Sequence, residues 1–292
     1  MSTSPSAVRA EILRYAAFTT DPDGGNPAGV VLDASGLDDA AMLAVAAEVG
    51  YSETAFLTAP PEPGEERAWT VRYFSPKAEV PFCGHATIAT AVALAERLGP
   101  GPLTFHTPAG RVPVEVGGDP DGGLSATLTS VEPYVAEIGG PEVARALDAL
   151  RWKAGDLDPA LPPRIAFAGA RHLVLAAATR ARLADLDYDF DRLLGFMTEH
   201  DLTTVQLVWR ESADTFHVRD PFPVGGVVED PATGAAAAAF GAYLRDLGQV
   251  SPDAVLTLHQ GEDMGRPGTL RVELRPGDPR IRVSGTAVRI RD

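Results

Sequence analysis

Glu53 lies in the run Tyr51-Ser52-Glu53-Thr54-Ala55-Phe56-Leu57, where period-two alternation puts it on one face with Tyr51, Ala55 and Leu57. Two readings are open. On an inward face the carboxyl loses water, its pKa rises, and it can accept and return a proton near neutral pH; on an edge strand facing water it does no such chemistry. His85 stands between Gly84 and Ala86 at the head of an Ala-rich stretch. There the helix dipole favours a neutral ring that donates or accepts a hydrogen bond, although a purely structural histidine fits equally. Asp230 precedes Pro231, the pattern of an N-cap before the residue best suited to the first helical position. With Glu229 it could instead orient a polar group of a substrate, Glu229 being a possible partner for His85. Cys83 precedes the same helix start as His85, which favours its thiolate as a nucleophile or carbon base. It is the single cysteine of the chain, and an epimerase using two opposed thiols needs a second. His106, His172, His200, His217 and His259 show no metal-ligand spacing and default to core or surface roles.

These side chains depend on two helix starts. Gly84-His85-Ala86 opens an Ala-rich helix ending at Leu98-Gly99, and Gly234-Ala235-Ala236 opens another ending at Leu247-Gly248. Each follows a Val-Arg pair (Val71-Arg72, Val218-Arg219) and a Pro-bearing loop, which suggests a fold built twice. Amides in a first helical turn attract anions, so Gly84, Ala86, Gly234 and Ala235 are candidate contacts for a carboxylate. The alternative is that small residues there only let each helix pack closely.

Around them the periodicities predict strands over Val8–Thr19, Val30–Leu32, Tyr51–Thr58, Ala68–Phe74, Leu103–His106, Val112–Val116 and Leu124–Thr129. A Pro/Glu-rich loop is expected over Ala59–Arg67, and helices over Leu37–Val49 and Ala86–Leu98. After an irregular stretch, Val131–Pro141, a second unit is expected. It has a helix near Glu142–Leu150, strands near Arg164–Phe167 and His172–Ala177, and a helical region Arg180–His200. Strands Thr203–Arg210 and Thr215–Asp220, a helix Thr233–Leu247 and three strands between Val255 and Ile290 complete it. The class is α+β, with mixed, largely antiparallel sheets around helices. No Rossmann fingerprint, Walker loop or GxSxG elbow occurs.

Composition narrows the function. A length of 292 residues with 45% hydrophobic and 22% charged side chains fits one large or two ordinary globular domains. A net charge of -15 repels nucleic acid. One cysteine forms no intramolecular disulfide, and no signal peptide or membrane-spanning run is evident, so a cytoplasmic protein without nucleic-acid or membrane partners is expected. No cofactor and no metal is expected.

Five passages in order, Gly25-Asn26-Pro27-Ala28-Gly29-Val30, Ser52-Glu53-Thr54-Ala55-Phe56, Phe74-Ser75-Pro76, Glu79-Val80-Pro81-Phe82-Cys83-Gly84-His85-Ala86-Thr87 and Glu229-Asp230-Pro231-Ala232-Thr233-Gly234, carry a resemblance. The chain resembles the phenazine-biosynthesis isomerase family (PhzF-like proteins), relatives of diaminopimelate epimerase in fold. The resemblance implies two pseudo-symmetric domains, each a curled, mostly antiparallel sheet around a central helix, with the active site in the cleft between them. The implied boundaries are 1–130 plus about 280–292, and 131–279. It implies that Glu53 is the catalytic acid/base and that His85 and Asp230 hold and orient the substrate, with Gly84 and Gly234 as helix-start amides. The implied reaction is a cofactor-independent hydrogen shift within a small carboxylated molecule, in a homodimer. Where the phenazine enzyme has a serine after the second helix-start glycine, this chain has Ala235, so the substrate can differ. Epimerisation at one carbon with Cys83 as a base, and a non-catalytic anion-binding protein of the same fold, remain alternatives.

Overall fold

The structure, a computed structural model, describes residues 10–59, 64–120 and 122–291. It comprises two compact units. The first holds the described parts of Met1–Pro22, Pro27–Ala126 and Thr286–Asp292; the second holds Asp23–Asn26 and Thr127–Gly285.

The first unit begins with β1 (Leu13–Ala17), β2 (Asn26–Val31) from Pro27 onward, α1 (Asp39–Val49), β3 (Thr54–Ala59), β4 (Ala68–Phe74) and β5 (Glu79–Val80). It continues with α2 (Gly84–Leu98), β6 (Gly101–Thr107) and β7 (Gly110–Gly118). Pairing is parallel between β2 and β3, antiparallel between β3 and β4, parallel between β4 and β6, and antiparallel between β6 and β7. The end of the chain returns to this unit, with Tyr15 of β1 opposite Arg289. The Asp38 carboxylate accepts the Ala41 N–H at 2.8 Å to start α1, and Gly50 stops it at φ +72°, a left-handed position that glycine adopts without strain. Helix α2 is buried at every residue from His85 to Ala95. Its alanines and threonines make that burial possible, because they let β1, β3 and β7 close on it.

The second unit takes in β8 (Leu124–Thr129) from Thr127 onward, then β9 (Tyr134–Glu137), α3 (Gly140–Ala149), β10 (Arg164–Phe167) and β11 (Arg171–Ala176). Next come α4 (Arg180–Ala184), α5 (Phe190–Glu199), β12 (Thr204–Arg210), β13 (Thr215–Pro221) and β14 (Glu229–Asp230). It ends with α6 (Gly234–Asp246), β15 (Val255–Gln260), β16 (Gly268–Arg275) and the part of β17 (Asp278–Arg289) up to Gly285. Pairing is parallel between β11 and β12, antiparallel between β12 and β13, parallel between β13 and β15, and antiparallel between β15 and β16. This is the order of pairing types seen in the first unit. Helix α6 is buried from Ala236 to Leu244 and packs on β9, β10, β11 and β16. A Cβ on Gly241 would lie 2.8 Å from Val272 Cγ1, so glycine sets how closely α6 approaches β16.

The α+β class with mixed sheets agrees with the periodicity. Four local expectations are corrected. Strand β3 starts at Thr54, leaving Glu53 just before it, and Thr54 to Leu57 are all buried, so alternation does not operate. The cause is that β3 pairs on both sides and has α1 and α2 packed on it, which buries both faces. Asp230 is not the cap of α6. It sits in β14, and the cap position belongs to Thr233. The stretch expected to be irregular contains β9, paired with β10, and the helical region Arg180–His200 is two helices separated by residues 185–189. Residues 8 and 9 of the first expected strand and residues 60–63 of the expected loop lie outside the described residues.

Candidate functional site

In the first unit, three sequence-predicted residues meet. The Glu53 backbone is tied to β2 by the Gly29 N–H, which donates to the Glu53 carbonyl at 3.2 Å. Helix α2 begins one residue after Cys83, and the Thr87 hydroxyl donates to the Cys83 carbonyl at 2.6 Å. Thr87 Oγ1 lies 2.7 Å from the buried Tyr73 hydroxyl of β4, which fixes the turn carrying Cys83 and His85. The Cys83 thiol lies 3.5 Å from Glu53 Oε2 and 3.3 Å from His85 Nδ1; His85 Nε2 lies 3.5 Å from Glu53 Oε2 and 3.4 Å from Ser52 Oγ. Cys83 and His85 are buried, and the Glu53 side chain is 16% exposed. Burial raises the Glu53 pKa above the usual carboxyl value, and hydrogen bonds from Ser52 and Cys83 offset part of the rise. A carboxyl so placed can exchange a proton with a bound carbon acid, and the helix start beside it supplies amides that stabilise negative charge. Gly84 is half-buried at this start, whereas Ala86 is fully buried.

In the second unit Asp230 is held by three elements. Asn26 Nδ2 donates to Asp230 Oδ1 at 2.8 Å and to the Ala232 carbonyl at 3.0 Å, and the Thr233 hydroxyl donates to Asp230 Oδ2 at 2.6 Å. Gln260 of β15 donates to the Asp230 carbonyl at 2.8 Å and accepts the Thr233 N–H at 3.0 Å. Gly234 and Ala235 follow, both half-buried. Glu229 takes another role: both of its oxygens bind Arg219, at 2.9 and 2.5 Å, so it is the partner of a buried cation.

Beneath Asp230 lies a polar layer of which the sequence reading named only His172, as a core or surface residue. Asp220 of β13 is opposite Asp230 in the β13–β14 pair. Its carboxyl accepts from the Thr204 hydroxyl at 2.8 Å, and His172 Nδ1 lies 2.8 Å from that hydroxyl. All three are fully buried. Burial lifts the Asp220 pKa well above the usual value, and the Asp230 and Glu229 charges add to the rise. Burial also lowers that of His172 to about 3. His172 Nε2 and both side-chain polar atoms of Gln206 have no hydrogen-bond partner among the described residues. Asn26 was visible as part of Gly25-Asn26-Pro27 but carried no assigned role. Asp220, Thr204 and Gln260 come from separate strands, and no local motif marks them.

No helix of the described residues is long and apolar enough to cross a membrane. Comparison with known proteins places the chain among named relatives. The model of the family described as phenazine biosynthesis-like protein matches residues 15–292. An uncharacterized isomerase, YfhB, of Bacillus subtilis (strain 168) is 30% identical over 289 residues, covering 96% of each chain. The trans-2,3-dihydro-3-hydroxyanthranilate isomerase of Pseudomonas chlororaphis is 30% identical, covering 93% of this chain and 94% of that one. The crystal structure of a Bacillus anthracis phenazine biosynthesis protein of the PhzF family superposes with a TM-score of 0.86 at 26% identity, covering 97% of each chain. With a family model spanning residues 15–292 and curated isomerases covering 93–96% of it, the chain belongs to the phenazine biosynthesis-like protein family and is an enzyme of isomerase type.

Proposed function

We propose that the protein is a cofactor-independent isomerase of a small carboxylated metabolite, with Glu53 as its acid/base. Glu53 takes a proton from a carbon next to unsaturation, the electron pair enters the conjugated system, and the neutral Glu53 carboxyl returns a proton to another carbon. No net oxidation occurs. His85 and Asp230 hold polar groups of the substrate, and the first-turn amides of Gly84, Ala86, Gly234 and Ala235 bind its carboxylate. The observation that carries this reading is the largely buried Glu53 carboxyl, raised in pKa, packed against Cys83 and His85 at a helix start.

The fuller fold belongs to the same proposal. The two units are pseudo-symmetric, each a curled sheet around one central helix, α2 or α6. The matching order of parallel and antiparallel pairs and the burial of both helices support it. The boundaries read from sequence, 1–130 plus about 280–292 and 131–279, remain part of this reading. A cytoplasmic homodimer is proposed with it, to be checked by light scattering on the purified chain.

The test begins with trans-2,3-dihydro-3-hydroxyanthranilate, the compound named for the Pseudomonas chlororaphis relative, and continues with other unsaturated carboxylates. The expected product has the mass of the substrate and a shifted double bond. Tight binding of every candidate without turnover would instead support an anion-binding protein. Ala235→Ser restores the hydroxyl of the phenazine enzyme and is expected to tighten binding of that first compound by about 1.5–3 kcal/mol, measured by calorimetry.

Epimerisation is the alternative that the same residues must be tested against. Epimerisation at a single carbon needs a second acid on the opposite face of that carbon, and Cys83 Sγ, 3.5 Å from the Glu53 carboxyl, stands on the same side. Deuterium from solvent at the original stereocentre, abolished in Cys83→Ser, would favour it; deuterium only at a new position would reject it.

A further inference from the structure

We infer that Asp220 and Asp230 form a cross-strand carboxyl pair holding a single proton, and that Asp220, its neutral member, is a positioning residue that keeps Asp230 ionised and in place for the substrate. The part of Asp230 in binding rests on the proposed function above; the shared proton does not. Strand register carries the inference. Asp220 and Asp230 are directly opposite in the antiparallel β13–β14 pair, so their side chains leave the same face, with Cβ atoms about 4.5–5.5 Å apart. Arg219 and Pro221, the chain neighbours of Asp220, take the other face, and so does Glu229, which is opposite Pro221. That sorting puts the Arg219–Glu229 ion pair on one face and two carboxyls on the other.

Two carboxylates opposite one another in a buried strand pair repel, so one keeps its proton. The hydrogen bonds decide which. Asp230 receives the Asn26 amide at Oδ1 and the Thr233 hydroxyl at Oδ2, and both donors favour a charge. Asp220 is fully buried and receives the Thr204 hydroxyl at Oδ1, while its Oδ2 has no hydrogen-bond partner among the described residues. The Thr233 hydroxyl faces Asp220 too, but its proton is engaged by Asp230. A bare buried charge costs far more than a bare buried hydroxyl, so the proton belongs to Asp220. The other groups packed on β13 leave this balance intact. His172, behind Thr204, is held neutral by burial, and Gln206 and Gln260 carry no charge. Helix α4 lies on the Arg219 side, where Arg219 Nη1 donates to the Ala184 carbonyl at 2.7 Å, and its Arg180 and Arg182 pair with Asp263 and Asp185. Burial, with the charges of Asp230 and Glu229, raises the Asp220 pKa in the same sense. Once Asp220 ionises, Asp230 faces a like charge and either leaves its donors or takes up a proton, and both changes remove it as an acceptor for the substrate.

The test uses the full-length protein with its aspartates labelled with ¹³C at the side-chain carboxyl, which separates an aspartic acid from Glu53 in the infrared spectrum. At pH 7 the wild type is expected to show the carbonyl stretch of a protonated aspartic acid, and Asp220→Asn to lack it. Should that variant fail to fold, the wild-type band answers the question. No such band at pH 7, or its persistence in folded Asp220→Asn, would overturn the shared proton. With a turned-over substrate in hand, the wild-type KM is expected to climb by about tenfold for each pH unit beyond the point where the band is half lost. Asp220→Asn, which cannot ionise, is expected to show no such climb. A flat wild-type KM where the band is lost, a band that persists to the pH of unfolding, or an equal climb in folded Asp220→Asn would overturn the positioning role and leave the pair in place. An unchanged KM in Asp230→Asn would instead overturn the binding role of Asp230 itself.

Discussion

Asp230 is held by the buried Asn26 and Gln260 above a buried polar layer, and the first predictions concern these groups. Asn26→Ala leaves Asp230 Oδ1 and the Ala232 carbonyl without the amide that serves both, and is expected to cost about 1–3 kcal/mol in chemical denaturation. His172 gives a pH signature. Its unfolded ring takes a proton near 6.5 and the buried ring only near 3, so between those values the unfolded state binds more protons and stability falls as pH drops. His172→Gln is therefore expected to cost stability at pH 7 and to lose about 2 kcal/mol less than wild type between pH 7 and pH 5. An unchanged gap between the two proteins would contradict the buried neutral ring. Asp220 works in the opposite sense. It keeps its proton above the usual carboxyl pKa, and its contribution is lost as pH rises through its folded value. Sequence alone singled out Glu53, His85 and Asp230 as candidates, because each sits in a compact local motif. Of the two readings it left open for Asp230 the helix cap fails, because the Asp-Pro pair has the same composition in a cap and in a two-residue strand. It left Cys83 isolated because its nearness to Glu53 depends on where β3 begins relative to α2.

The segments that carry these residues were largely readable. Strand β4 and the ends of α1 and α2 fall where periodicity and glycine stops put them. The start of β3 did not, since a strand buried on both faces loses the alternation that sets its register. Gly29 makes that region testable. A Cβ there would lie 2.5 Å from Thr54 Oγ1, and the Gly29 N–H holds the Glu53 carbonyl. Gly29→Ala is expected to destabilise the first unit by about 1–3 kcal/mol through overpacking. It is also expected to lower kcat more than it raises KM, because it displaces Glu53. Asp38→Ala is the control at the other end of α1. It removes a cap worth about 0.5–2 kcal/mol and is expected to lower the melting temperature while leaving turnover at 25 °C unchanged.

The chain as a whole is acidic and divides into two units that repeat one order of strand pairing. The net charge of -15 predicts no retention on immobilised double-stranded DNA even at low salt, where cationic patches bind most strongly. The repeat was legible as two Ala-rich helices after Val-Arg pairs, but the parallel pairs β2–β3 and β11–β12 were not, because hairpin-like spacing says nothing about which distant strands become neighbours. The first unit keeps the Glu53 carboxyl largely out of water beside the start of the buried helix α2. The decisive measurement is the turnover of Glu53→Gln on a carboxylated substrate of the wild type, alongside its melting temperature and substrate affinity. The account predicts turnover lower by about 10²–10⁴-fold with both other quantities preserved. Turnover within tenfold of wild type would contradict it.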